Sequence, residues 1–143
     1  MFEDDVTRPD RERARRTIDD LDLDVVLGEA TRVCGWSPDE AREAERWYRR
    51  HLWICYLHGD DLSIPVVSKY ADQLWHQHIL NTTQYLSDCQ AIFGRFLHHR
   101  PLYGRPSADD ARAFARVVAF YVEEFEMVPV DPAFVSGSDP AGV

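Results

Sequence analysis

A chain of 143 residues is the size of one domain with one core, and 45% hydrophobic content with four tryptophans is enough to build that core. The balance of 16 basic against 25 acidic residues leaves a net charge of −9. A surface that negative repels phosphate backbones and anionic lipid, so nucleic acid and membrane surfaces are not the expected partners.

The N-terminal segment "MFEDDVTRPDRERARR" has no apolar run of the secretory kind, and nowhere is an apolar stretch long enough to span a bilayer. A cytoplasmic location is therefore expected. Cys34, Cys55 and Cys89 are odd in number and widely spaced, which argues for reduced thiols and against a disulfide framework.

Residues 1–16 read as a charged, flexible N-terminus. From Leu21 the pattern turns helical, with Leu23, Leu27, Ala30 and Cys34 at spacings of four, three and four, and Gly35 is placed to end that helix. In "SPDE", Ser37 can cap, Pro38 suits the first helical position and Glu40 can close a capping box. The second helix carries Ala44, Trp47, His51, Ile54 and His58 on one stripe and stops at Gly59. A third helix is expected from about Val66 to Phe93, broken by Gly94 and followed by an ordered aromatic and histidine-rich loop, "RFLHHRPLYGRP". Ser107 caps a fourth, with Phe114, Val118, Tyr121 and Phe125 as its apolar stripe, and residues 129–143 form a Pro/Gly/Ser-rich tail. Nothing alternates with a period of two. The expected fold is all-α, a single-domain bundle of about four helices over residues 17–128.

The chemistry concentrates in "ADQLWHQHIL", residues 71–80. Asp72 and His76 lie one helical turn apart and share a face, so carboxylate and imidazole can ligate one ion, or the carboxylate can fix the imidazole's tautomer. Without a metal the same pair is a helix-surface hydrogen bond. His78 points roughly 200° away from His76 on a regular helix. It aligns with Thr82, Tyr85 and Cys89, the polar edge of a core, and a buried hydrogen bond to Thr82 or to a facing helix is its plainer reading. His98 and His99 follow the Gly94 break, and a loop folding back can bring one of these rings to the Asp72–His76 face. Two histidines and one carboxylate on one side of an ion form an arrangement that iron(II) uses and zinc accepts. His51 and His58 are further candidates, with polar positions on a core stripe as the plainer reading. Trp75, Phe93, Phe96 and Tyr103 wall a pocket or pack the core, and Cys89 is a buried small hydrophobe unless it faces another donor.

The string from Asp72 to Pro101 resembles the glycine-rich-domain-containing-protein-like family. The pattern is carried by Asp72, Trp75, His76, His78, Ile79, Thr82, Tyr85, Asp88, Cys89, Phe93, Gly94, Phe96, His98, His99 and Pro101, with Asn81 where that family has Asp. The resemblance implies a helical domain and groups Asp72 with the histidines in one site. It implies no reaction.

The expected function is that of a metal-binding helical protein: a small non-haem iron or zinc enzyme acting on a small molecule or peptide. Asp72, His76, His98 and His99 are its candidate ligands, and Tyr85 and His78 its candidates for proton transfer or ligand support. The alternatives are a module stabilised by structural zinc and a metal-free protein-interaction domain. Closed four-ligand coordination would favour the first of these alternatives, and stability indifferent to chelation the second.

Overall fold

A computed structural model describes residues 8–59, 64–99 and 107–129. Among them lie six helices and no strand: α1 (Arg11–Asp20), α2 (Asp24–Cys34), α3 (Pro38–His58), α4 (Lys69–Leu80), α5 (Thr82–Phe93) and α6 (Ala108–Phe125). The all-α expectation holds. The count of about four does not, for two local reasons.

The first is α1, which occupies part of the segment expected to be charged and flexible. Asp10 caps it, its carboxylate accepting from the Arg13 N–H at 2.8 Å, and Ala14 and Ile18, one turn apart, are buried. Arg49 from α3 closes the other end. Its guanidinium donates to the Ile18 carbonyl and, at 3.0 Å, to that of Leu21. The charged residues that made the segment look frayed cover its outer face.

The second is Asn81. Its backbone (φ −87°, ψ 75°) is not helical, and it ends α4 and starts α5. Asn is a weak helix former because its side chain competes for local hydrogen bonds, and here its amide donates to Gln84 Oε1 at 3.1 Å. The expected single helix from 66 to 93 is therefore a corner. Residues ten apart on a straight helix stand about 15 Å apart along its axis. Yet His78 Nε2 lies 2.8 Å from Asp88 Oδ2, and Trp75 Nε1 lies 3.0 Å from the Tyr85 hydroxyl.

The other boundaries follow their signals. Ser37 and Glu40 form the capping box of α3 with Pro38 at its start, Gly35 and Gly94 end α2 and α5 in the left-handed region, and Ser107 caps α6 with Asp110. The α6 stripe is displaced from expectation. Val117 and Tyr121 are buried while Phe114 is exposed, because the second half of α6 makes the contacts: Phe120 stacks on His58, Tyr121 meets Trp47, and Glu124 accepts from Trp53 Nε1 at 2.9 Å. Helix α3 packs on α1, α2 and α4 and supplies Trp47, Tyr48, Leu52 and Ile54 to the core. Among the described residues no helix is long and apolar enough to cross a membrane. The stretch around Pro101, Tyr103 and Gly104, the tail from residue 130 and residues 1–7 lie outside the described residues.

The end of α3 is tightly built. Gly59 N donates to the Cys55 carbonyl at 2.7 Å, and a Cβ on Gly59 would stand 2.4 Å from that same oxygen. The obstacle is backbone, so it cannot swing aside. Gly59→Ala is expected to cost about 1–3 kcal/mol, read as a lower urea midpoint at unchanged slope. An unchanged midpoint would mean that this cap opens at little cost.

Candidate metal centre

Ser68 starts α4, its hydroxyl accepting from the Ala71 N–H at 3.1 Å. That register buries Ala71, Leu74, Trp75 and His78 and leaves Asp72 and His76 on the rim. At the far end of α5 the left-handed Gly94 reverses the chain, so residues 95–99 run back over α4. Two hydrogen bonds fix that return. The Tyr85 hydroxyl donates to the Leu97 carbonyl while accepting from Trp75 Nε1, and Arg95 Nη2 donates to the Gly59 carbonyl at 2.5 Å. The loop thereby lays His99 flat on the Trp75 indole, with ring centroids 4.0 Å apart and planes inclined by 14°.

Three donor atoms then converge. His99 Nε2 is 2.8 Å from Asp72 Oδ1 and 3.1 Å from His76 Nε2, and His76 Nε2 is 3.6 Å from Asp72 Oδ1. Ligand atoms held about 2.0–2.2 Å from one ion stand roughly 3–3.5 Å from one another, and the triangle's sides of 2.8, 3.1 and 3.6 Å bracket that range. The protonation states open to the two rings allow the same arrangement. An imidazole nitrogen offers in its ring plane either one N–H or one lone pair. If His99 Nε2 gives its proton to Asp72, His76 Nε2 can only share that N–H or turn to solvent. Both nitrogens can instead turn lone pairs inward, with the carboxylate, toward a cation. Asp72, His76 and His99 are the group among the described residues whose donor atoms could hold a metal ion. The side chains are 32%, 54% and 14% exposed respectively, so the face beyond His76 is open to solvent.

The structure thus takes His99 from the adjacent pair. His98 points elsewhere, exposed, with its ring edge-on to Phe96 at 4.8 Å. His78 is buried and turned away from the triangle. Its Nδ1 is 2.7 Å from the hydroxyl of Tyr48 on the facing helix α3, one of the two partners expected, and its Nε2 bonds Asp88, whereas Thr82, the other, is exposed. Burial pushes the His78 imidazole down against the opposing pull of Asp88, so in its neutral form Nε2–H donates to Asp88 and Nδ1 accepts from Tyr48. Tyr85 is buried as well. Burial raises its phenol well above the usual range, which makes it a fixed hydrogen-bond post for the His99 loop.

His51, on the core stripe as the plainer reading had it, sits beneath Trp75 with centroids 4.5 Å apart. His58 stacks on Phe120 at 3.6 Å. Cys89 is a buried thiol with its pKa raised by burial. Sequence reasoning did not single out the Leu97 carbonyl or Tyr48. A backbone acceptor carries no residue-type signal, and a tyrosine one position from the Trp47 stripe looks like ordinary core.

No curated protein and no solved structure matches the chain. The model of one family matches residues 30–130, which takes in α3, α4, α5, α6 and the whole triangle of donors. Its description, UCP032817-like, names no activity. The chain belongs to the UCP032817-like family.

Proposed function

We propose that this protein binds one divalent metal ion, iron(II) or zinc, through Asp72 Oδ1, His76 Nε2 and His99 Nε2, and uses it on a small-molecule or peptide substrate. The observation that carries this reading is the meeting of three donor atoms within 3.6 Å of one another at a solvent-accessible rim. An ion bound there supplies Lewis acidity, or one-electron chemistry if it is iron. The chain's own part is orientation. Trp75 and Tyr85 hold the His99 loop, the register of α4 aligns Asp72 with His76, and half-exposed His76 leaves the outer face accessible.

The competing reading is structural zinc clamping the loop onto α4. Structural sites close with four protein ligands, and the donor group among the described residues stops at three. Cobalt(II) titration of untagged, chelator-stripped protein separates the cases. Saturation at one equivalent, with the weak visible absorption of five- or six-coordinate cobalt, is expected. Intense tetrahedral bands with no exchangeable water would favour the clamp. No uptake of cobalt, zinc or iron(II) would end the metal reading altogether.

A further inference from the structure

The hydrogen-bond chain that leaves the core at His78 ends in a cleft separate from the metal centre. It starts at the fully buried Tyr48 hydroxyl, passes through the His78 ring, and reaches Asp88 Oδ2, which also accepts from Gln84 Nε2 at 3.3 Å. Gln84 Nε2 reaches across as well to the Asp22 carbonyl at 2.8 Å, tying α5 to the turn between α1 and α2. Asp88 is thus a largely buried carboxylate fixed from behind. It borders a shallow, largely open cleft of about 480 Å³ whose lining includes Arg13, Arg16, Thr17, Asp20 and Asp22.

The charges of this cleft are arranged unusually. Arginine side chains are long enough to seek out nearby carboxylates, and on this surface they do so at Glu29–Arg32, Asp39–Arg42 and Glu43–Arg46. Within the cleft no such pair forms among the described residues. The partner of Arg16 is Glu12, outside the lining, at 3.5 Å. One hollow therefore has guanidinium groups from α1 and carboxylates from α1, α5 and the α1–α2 turn in its lining, with no ion pair between them among the described residues, while Asp22 Oδ1 accepts from the Asp24 N–H at 3.1 Å. Guanidinium recognises carboxylate in a two-pronged geometry, and a carboxylate held by neutral donors still has lone pairs for an ammonium.

We propose that this cleft binds a free α-amino acid, its carboxylate on Arg13 and Arg16 and its ammonium on Asp88 with Asp20 or Asp22. Thr17 offers a hydroxyl between the two ends. The site does not depend on the metal centre, and the two readings stand or fall separately.

The test is a titration of the full chain with free L-amino acids up to about 10 mM, followed by amide NMR in the presence and absence of zinc. The expected result is saturable shifts at Thr17, Leu21 and the Gln84 side-chain amide for at least one amino acid. Binding should weaken at least about tenfold when that amino acid is N-acetylated or carboxamidated, since either change removes one of the two charges. Arg13→Gln, Arg16→Gln and Asp88→Asn should each weaken it to a similar degree. The two arginines are exposed and Asn keeps an oxygen for the His78 N–H, so circular dichroism and melting temperature should stay at the parent values. The proposal is overturned if no amino acid gives saturable shifts, if the blocked derivatives bind as well as the parent, or if folded cleft variants bind unchanged.

Discussion

His99→Ala is expected to weaken divalent metal binding by about 100-fold or more, while His98→Ala leaves it unchanged. The two residues are neighbours with the same titratable group, so composition and net charge are identical in the two variants. Only direction differs: the His99 ring lies on Trp75 with Nε2 in the triangle, and the His98 ring stands against Phe96. Asp72→Asn and His76→Ala should behave like His99→Ala, because each removes one of three donors from a set with no fourth among the described residues. Tyr85→Phe probes the support and not the shell. It removes the hydroxyl that joins Trp75 Nε1 to the Leu97 carbonyl, and an orienting contact of this kind is worth about tenfold or more in metal affinity. Competition against a chromophoric chelator gives all five affinities on one scale. Equal losses in the His98 and His99 variants would show that the pair acts through loop charge alone, and the triangle would lose its claim.

Which parts of this arrangement could be read from residue types follows a physical division. Capping is local chemistry, and Ser37, Gly35, Gly94 and Ser107 act where their side chains or their freedom at positive φ suggested. The Asp72–His76 pair was legible for the same reason, since one helical turn fixes both side chains on a common face. The choice between His98 and His99 was not, because adjacent loop residues have no periodicity and the selection is made by Tyr85 gripping Leu97 from another helix. Asn81 was visible as a departure from the resembled motif, but its meaning as a corner was not. Leu80 and Thr82 on either side are compatible with continued helix, and the break is secured by contacts across it, from His78 to Asp88 and from Trp75 to Tyr85. Helix α1 was missed because Ala14 and Ile18 are a thin apolar signal among arginines and carboxylates, and the surfaces that bury them come from other helices.

Acidification should destabilise the fold through His51 by up to about 1.4 kcal/mol for each pH unit between its unfolded and folded pKa values. Its ring is fully buried. Nε2 lies 3.4 Å from Cys55 Sγ on its own helix, Trp75 of α4 packs against its face, and Nδ1 finds no hydrogen-bond partner among the described residues. Burial pushes this imidazole from 6.5 down to about 3, with repulsion from His99 in the same sense and attraction from Asp72 opposing. The folded value is the depressed one, so between these limits the unfolded chain takes up a proton that the folded chain refuses. Stability is fully present above about 6.5 and drains away as pH falls toward 3. His78, also depressed by burial, adds a slope of the same sign. The contribution of His51 is therefore the difference between wild type and His51→Phe, which fills the space with an aromatic ring that cannot charge. Urea midpoints from about pH 7 to pH 5, taken with chelator present so that metal release from the triangle does not enter, should fall less steeply for the variant. Parallel slopes would mean that this imidazole meets water or a proton in the folded chain, and the core beneath Trp75 would then be more open than its packing indicates.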